Sequence, residues 1–185
     1  LFETAANRAA AFSGSYFPDW GYSGINQDAG EASHWQPFYE VYADTLAHRF
    51  PPPWGEQAQR EIAFCIGAMS PHTAKLPWHF SNNGHDSFLK AARTHDNASH
   101  QRTEIGCDLH FYTGPDLDPP MRGNLFWPAG TLLAAFEQAG HTVTREQLDA
   151  AALRIRGLMV SAPMAGKATA RKAMDRMPWV SEHIG

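Results

Sequence analysis

The sequence predicts an all-α fold, and three observations support this prediction. Apolar side chains recur at helical spacing, most clearly between residues 36 and 50. Thr144 is followed three residues later by Gln147, the arrangement of a capping box that begins a helix. Runs of alternating β-branched residues, which are typical of strands, are missing from the sequence. We therefore expect a single multi-helix domain over residues 1–185, with long functional loops.

The first part of the chain predicts two helices separated by a long loop. Residues 1–11 are rich in alanine and predict the last turns of a helix. Residues 13–33 are rich in glycine and aromatic residues and show no clear period, so we expect an ordered, functional loop. The next helix is expected from Gln36 to Phe50, where three consecutive prolines end it.

The following helix is expected to begin at Trp54 and to be interrupted by Pro71 and Pro77, because proline lacks the N–H that continues a helix. The remaining predicted elements are a short helix over 86–94, a loop-like stretch over 97–120, and helices over 131–138, 144–160 and 166–177.

Composition and charge exclude some classes of function. The net charge is −4 and Lys and Arg are scattered, which argues against nucleic-acid binding through a basic face. No apolar run approaches the length needed to span a bilayer. The chain begins at Leu1 without a signal-peptide pattern, so we interpret it as a processed or trimmed product. Cys65 and Cys107 could form one disulfide, or Cys65 could be a core thiol.

Asp19 and His34 are the first candidate site residues, since each lies in a frame of aromatic residues and proline. Such a frame can hold a carboxylate and an imidazole in defined positions and exclude water. This arrangement suits a metal or acid/base site. The alternative is structural, with Asp19 in a turn and His34 capping the next helix.

Eight of the ten histidines fall between residues 34 and 110, together with several carboxylates. Histidine and carboxylate are the ligands that zinc takes in catalytic sites. His100 and Glu104 are spaced four residues apart, so on a helix both could bind one ion. Such a pair also occurs by chance on a solvated helix face.

Several longer motifs follow one another in order along the chain. They are Ser13-Gly14-Ser15-Tyr16-Phe17-Pro18-Asp19-Trp20-Gly21-Tyr22, Glu31-Ala32-Ser33-His34-Trp35-Gln36-Pro37-Phe38, Pro53-Trp54, Ile62-Ala63-Phe64 with Gly67 and Ser70, and Trp78-His79. This series resembles the zinc-dependent phospholipase C family, and most of all the catalytic domains of its branch that cleaves glycosylphosphatidylinositol. The resemblance covers roughly residues 12–108 and is looser beyond them.

The resemblance implies an all-α fold with up to three zinc ions at the bottom of a cleft, where a zinc-activated water attacks a phosphodiester. Residue by residue, it implies zinc ligation by Asp19, His34, His79, His100 and Glu104. Asp19 would bridge metals and is also the candidate general base. The expected substrate is a phospholipid or a glycosylphosphatidylinositol-type phosphodiester, reached through contact with a membrane surface.

The sequence also departs from the family pattern. An ungapped alignment places Pro71 and Lys75 where the family has a histidine and an aspartate ligand. Neither side chain can take over that role, although His72 offers a displaced imidazole. The family further expects a histidine on a helix upstream of Leu1, so this chain is expected to lack that N-terminal helix. Fewer zinc ions than three, or none, would then be bound.

Two functions follow from these observations. The first is a zinc-dependent phosphodiesterase, secreted or extracellular if it follows the family. The second is a degenerate member of the fold, serving as a structural or binding subunit of a larger, organellar assembly, with Lys75 replacing the charge of a lost zinc. In either case we expect Trp20, Trp35, Trp54 and Trp78 to pack in the core, although Trp20 and Tyr22 could line a lipid entrance.

Overall fold

The computed structural model describes residues 1–22, 24–79, 87, 90 and 125–164, with the backbone alone for 74–79 and 158–164. Within these residues the fold is all-α, as predicted, and no strand is present. The elements are α1 (Ala5–Ser15), a 3₁₀ helix (Phe17–Gly21), α2 (Gln27–Ala32), α3 (Gln36–Arg49), α4 (Glu56–His79), α5 (Ala129–Gln138) and α6 (Arg145–Met164).

The chain divides into two compact units. The first contains residues 1–73 and 121–159, and the second contains residues 74–120 and 160–185. The first unit holds nearly all of the described side chains, and the packing and sites below belong to it. The single domain expected over residues 1–185 remains a prediction.

The core of the first unit is an aromatic cluster centred on Phe17 and Phe136. The Phe17 ring lies 5.7 Å from that of Phe64 and 5.8 Å from that of Trp127, and Phe136 lies 4.5 Å from Phe38, measured between centroids. Tilted and edge-to-face pairs at such distances add to the energy of apolar burial. The 3₁₀ helix is therefore fixed to α3, α4 and α5 through one side chain.

Helices α1 and α4 cross at two glycines. A Cβ atom on Gly14 would lie 2.1 Å from the carbonyl oxygen of Phe64, and one on Gly67 would lie 1.8 Å from that of Ala11. Because no side chain fits into these spaces, the two backbones can approach each other only with glycine at both positions. This crossing holds the end of α1, and thus the start of the 3₁₀ helix, against α4.

The predicted element boundaries are partly confirmed. Helix α3 matches the prediction, and α5 ends before Gly140, which has a φ of +82°. At the start of α6 the predicted capping box forms, because the Gln147 N–H donates to the Thr144 hydroxyl while the Thr144 N–H donates to the Gln147 side chain. The predicted elements over 86–94, 97–120 and 166–177 lie essentially outside the described residues.

Two expectations about the backbone are wrong. Residues 13–33 are not one irregular loop, since they contain the end of α1, the 3₁₀ helix and α2, whose first turn is capped by the Asn26 side chain. Pro71 and Pro77 do not interrupt α4. Pro71 cannot donate to the Gly67 carbonyl, but the Ser70 hydroxyl donates to it instead over 2.7 Å. The acceptor that proline leaves unpaired is thereby satisfied.

Candidate functional site

Asp19 projects from the 3₁₀ helix toward solvent. Three residues complete a turn of such a helix, so Phe17 and Trp20 lie on one face, and both are buried. Asp19 lies off that face, and its side chain is 70% exposed. The burial of Phe17 and Trp20 thus fixes the backbone of the 3₁₀ helix. This backbone, more than the contacts of the Asp19 side chain, holds the carboxylate at the surface.

His34 follows the end of α2 and is buried, with only 6% of its side chain exposed. Its Nδ1 donates to the carbonyl oxygen of Gly30 over 2.9 Å. A carbonyl can only accept, so this hydrogen bond places a proton on Nδ1. In the neutral ring the lone pair then lies on Nε2, which is the state of a metal-binding histidine whose other nitrogen is held by the backbone.

The two side chains meet at the surface. His34 Nε2 lies 3.0 Å from Asp19 Oδ1. When the imidazole is protonated, Nε2–H donates to the carboxylate. When it is neutral, Nε2 and Oδ1 are two electron-pair donors 3.0 Å apart, and a cation bound by both would relieve their repulsion. The structure therefore brings together the first two residues that the sequence singled out.

A contact between two glycines brings the 3₁₀ helix next to α2. A Cβ atom on Gly21 would lie 2.6 Å from the Cα of Gly30, and one on Gly30 would lie 2.8 Å from the Cα of Gly21. The buried Ser33 hydroxyl lies within hydrogen-bonding distance of the carbonyl oxygens of Pro18 (3.2 Å) and Gly30 (2.7 Å). The backbone at this contact thus fixes the separation of Asp19 and His34.

Glu31 links two aromatic side chains beside the pair. Its carboxylate accepts a hydrogen bond from the Tyr22 hydroxyl over 2.7 Å and another from the Trp35 indole over 2.9 Å. The Tyr22 ring also lies 5.2 Å from the His34 ring, with an angle of 31° between the planes. Sequence reasoning missed Glu31, although its position three residues before His34 within a long motif pointed to it.

Tyr39 fixes the backbone next to His34 through a hydrogen bond to Ser33. Its hydroxyl is 2.6 Å from the Ser33 carbonyl oxygen and 2.7 Å from that of Ala68, and thus links α2 to α4. Burial raises the pKa of Tyr39 far above its ordinary value, and the charges of Cys65 and Asp19 raise it further. The phenol therefore remains a hydrogen-bond donor at any physiological pH, and its role is structural.

His72 is the displaced imidazole that the sequence suggested, and it lies next to this pair. Its Nδ1 donates to the carbonyl oxygen of His34 over 3.1 Å, and its ring meets that of Trp35 edge to face at 6.2 Å. As in His34, a backbone carbonyl engages one ring nitrogen and leaves Nε2 for another partner. Pro71, which precedes it, is half-buried and offers no ligand atom in its side chain.

The other predicted ligands cannot be placed at the site. For His79 the structure describes only the backbone, at the end of α4, and His100 and Glu104 lie outside the described residues. Among the described residues, no group of three or more His, Cys, Asp or Glu side chains could hold a metal ion. Asp19 and His34 fit two positions of a zinc shell in donor type, and zinc binding stays a prediction.

Two of the tryptophan predictions are wrong. Trp20 is buried as expected, but Trp35 and Trp54 are 48% and 51% exposed. Trp35 precedes α3 and contacts Glu31 and His72 at the edge of the site, which explains why it is not in the core. The side chain of Trp78 is not described. Cys65 is a buried free thiol, in agreement with the core alternative, and Cys107 lies outside the described residues.

Comparison with known proteins finds relatives for part of the chain. It is 34% identical over 71 residues to phosphatidylinositol-glycan-specific phospholipase D of Bos taurus, and 32% and 31% identical to the proteins of the same name from Mus musculus and Homo sapiens. Over this segment the chain is related to that phospholipase. Each match covers 36% of this chain and only 8% of the relative. No family model and no solved structure matches the chain.

Among the helices that the structure describes, none is long and apolar enough to cross a membrane.

Proposed function

We propose that this chain is a zinc-dependent phosphodiesterase that hydrolyses phospholipid or glycosylphosphatidylinositol-type phosphodiesters. The observation that carries the proposal is the Asp19–His34 pair, in which a buried imidazole, bonded to a backbone carbonyl, directs Nε2 to within 3.0 Å of an exposed carboxylate. The relation to phosphatidylinositol-glycan-specific phospholipase D supplies the class of substrate. The zinc-dependent phospholipase C family, resembled by the ordered motifs, supplies the metal.

His34 Nε2 and Asp19 would hold zinc, together with His79, His100 and Glu104 as the further proposed ligands. When bound, zinc supplies a Lewis acid that activates water and neutralises charge developing on the phosphate. The contribution of His34 is orientation, because the Gly30 carbonyl fixes both its tautomer and its ring. The His34 side chain is therefore already ordered before zinc binds, so its ordering adds little to the free-energy cost of that step.

Asp19 is suited to a second role as general base. Its carboxylate is exposed, so water and substrate can reach it, while the buried rings of Phe17 and Trp20 fix the backbone on which it lies. A base must lie within hydrogen-bonding reach of the proton that it takes, and a fixed backbone at a solvent-accessible site meets this condition. Asp19 would hold that proton on a carboxylate oxygen until the leaving group or solvent removes it.

Trp35 would contact the lipid part of the substrate. It is the large apolar side chain next to the pair that is most exposed, and Glu31 fixes its indole nitrogen. An aromatic ring with one bonded polar atom is suited to the boundary between water and lipid. This arrangement supports contact with a membrane surface.

The degenerate alternative is supported by Pro71 and Lys75. Both lie on α4, at positions where the resembled family has ligands, and the half-buried Pro71 cannot take such a role. If zinc is lost, the Asp19–His34 contact can persist as an ion pair with a protonated imidazole, and the chain would act as a binding or structural subunit. Zinc content and hydrolysis separate the two functions.

Hydrolysis of phosphatidylinositol in mixed micelles tests the proposal. We expect activity that is abolished by a chelator, restored by zinc, and reduced at least a hundredfold in Asp19→Asn, because removal of a general base typically costs that factor. Asp28→Asn is the matched control, since Asp28 lies in the first turn of α2 and is exposed. Hydrolysis that persists unchanged in Asp19→Asn, or an inactive wild type with zinc bound, would overturn the assignment.

A further inference from the structure

A groove of about 530 Å³ lies on a different set of elements from the Asp19–His34 pair. It is bordered by the end of α3, the first turns of α4, the segment before α5 with the start of α5, and the start of α6. Its volume lies within the range of small-molecule sites and exceeds what a single small ion fills. Nothing in the proposed phosphodiesterase reaction uses it.

Three arginines line this groove, and two of them have no acidic partner among the residues that the structure describes. Arg145 is bonded to Asp149 over 3.0 Å. Arg49 and Arg60, by contrast, form no ion pair with any residue in the described part of the chain. Each lies against an aromatic ring instead, Arg49 over Phe50 and Arg60 over Phe126, both at 5.7 Å. Within the described part of the chain, two guanidinium groups are thus held at one groove against aromatic rings and without a carboxylate partner.

Two buried polar atoms in the groove wall lack partners among the described residues, and both are donors. Arg60 Nε and the indole Nε1 of Trp127 are buried and have no hydrogen-bond acceptor among the described residues. Buried polar groups are nearly always bonded, so such atoms call for an explanation. Guanidinium and indole N–H groups can only donate, and the partner that satisfies them must be an acceptor. The groove therefore suits a ligand rich in acceptor oxygens.

The backbone at the same place also favours negative charge. Helix α5 begins at Ala129 in the groove wall, and the N-terminal end of a helix carries partial positive charge. The Arg49 guanidinium lies at this end, with Nη2 3.7 Å from the position that a Cβ atom would take on Gly130. Because Gly130 has no side chain, a ligand can reach the start of α5 beside the Arg49 guanidinium.

Two carboxylates in the wall oppose an anion, but one of them is already engaged. Glu61 is buried, accepting hydrogen bonds from the Thr131 hydroxyl and from the Gln57 side chain. Glu56 is exposed in the first turn of α4 and is free to rotate toward solvent. Arg49 and Arg60 therefore remain the positively charged groups that are available to an anionic ligand.

We propose that this groove binds a phosphate group, carried by a small soluble molecule or by a lipid headgroup. The planar guanidinium groups of Arg49 and Arg60 match phosphate oxygens in charge and in geometry. Phe126 and Trp127 provide an apolar wall for the remainder of the ligand. The site is separate from the proposed zinc site, and it does not depend on catalysis there.

Calorimetric titration of the full chain with inorganic phosphate and with glycerol 3-phosphate, after metal removal on a chelating resin, tests this site. We expect binding by wild type and a loss of about tenfold in affinity in Arg49→Gln and in Arg60→Gln, which is the usual scale for a hydrogen bond to a charged group. Arg49 is exposed, so Arg49→Gln should fold normally even if Arg60→Gln is less stable. Circular dichroism checks the folding of both.

The matched control is Arg156→Gln, which removes one exposed positive charge from α6 outside the groove and should leave affinity unchanged. Asp19→Asn should also bind phosphate like wild type, so that failure of the phosphodiesterase proposal and failure of this one can be told apart. No binding by wild type, or equal affinity in wild type and Arg49→Gln, would overturn the groove site.

Phosphatidylcholine vesicles containing phosphatidylinositol distinguish the two sources of phosphate. If a headgroup is the ligand, wild type should co-sediment with the vesicles, and Arg49→Gln should do so less. If a soluble compound is the ligand, glycerol 3-phosphate should bind while the vesicles neither retain the protein nor compete. Both results support a phosphate site, and the calorimetric outcome above decides whether there is one.

Discussion

Asp19 and His34 meet different requirements of the proposed metal site. The carboxylate is exposed and can exchange protons with water, whereas the imidazole is buried and held by the Gly30 carbonyl. A ligand that is fixed before the ion arrives loses little conformational entropy on binding, while an exposed partner keeps the site accessible. The difference in burial between these two side chains, whose atoms lie 3.0 Å apart, is what the proposed zinc site would require.

Burial makes Cys65 an unreactive thiol. It raises the pKa of Cys65 from 9.0 to about 12, so almost no thiolate forms near neutral pH, and the thiolate is the reactive species. We predict that iodoacetamide at pH 8 labels the Cys65 peptide at least tenfold more slowly in the native protein than in denaturant, as measured by mass spectrometry.

The same shift predicts the direction of the alkaline response. The unfolded chain loses the Cys65 proton above about pH 9, while the folded chain keeps it until about pH 12, so stability should fall as pH rises across this window. Burial raises the pKa of Tyr42 as well, which acts in the same direction. Equal labelling of Cys65 in native and denatured protein, or stability that rises between pH 9 and 12, would contradict this account.

The sequence can predict which side chains form the candidate site when aromatic residues and proline surround them. It cannot predict which groups hydrogen-bond to those side chains. Asp19 and His34 were found because aromatic residues and proline surround them. Gly30 acts through a backbone carbonyl, and any residue has one, so no side-chain pattern reveals it. Trp35 was assigned to the core because tryptophan is usually buried, whereas its indole is held at the surface by Glu31.

At the scale of elements, the site depends on how closely the 3₁₀ helix approaches α2. Gly21 and Gly30 allow this contact, because a Cβ atom on either would lie within 2.8 Å of the other's Cα. The aromatic residues on the 3₁₀ helix then anchor it in the core, with Phe17 and Trp20 buried. The separation of Asp19 and His34 is thus a consequence of backbone packing.

We predict that Gly21→Ala destabilises the protein by about 1 to 3 kcal/mol, the usual cost of overpacking. The added methyl would lie 2.2 Å from the Asn26 carbonyl oxygen and 2.6 Å from the Gly30 Cα, so backbone must shift. Because the shift separates the two candidate ligands, we expect zinc affinity to fall as well. Urea unfolding and zinc titration measure the two effects.

The matched control for this variant is Gly55→Ala, where the added methyl meets no atom within 4 Å. We expect it to unfold and to bind zinc like wild type. If Gly21→Ala and Gly55→Ala behave alike in both measurements, the glycine contact does not hold the site together.

Helical periodicity and capping predicted α3, α5 and the start of α6, because their signals are local. The continuity of α4 was not predictable, since Pro71 normally ends a helix and the compensating bond from Ser70 to Gly67 depends on a rotamer. The 3₁₀ helix and α2 are short, and their stability comes from packing against each other at Gly21 and Gly30 and from Phe17 in the aromatic core, rather than from a repeating pattern.

At the scale of the whole molecule, the first unit joins one aromatic core, one candidate zinc site and one arginine-lined groove. The sequence motifs point to the candidate zinc site because they place residues of ligand type in the order that the resembled family has. The groove brings together Arg49, Arg60 and Trp127 from three separate segments, and no spacing in the sequence relates them. Sites assembled by tertiary packing of this kind become visible only in a structure.

Zinc content is the measurement that tests the central claim most directly. Purified chain exposed to zinc and then dialysed would be compared with Asp19→Asn and His34→Ala by elemental analysis. His48→Ala is the matched control, because His48 Nδ1 also donates to a carbonyl four residues earlier, over 2.8 Å, but on the exposed face of α3. The account predicts stoichiometric zinc in wild type and His48→Ala, and its loss in the other two variants. Equal zinc in all four proteins, or none in the wild type, would contradict it.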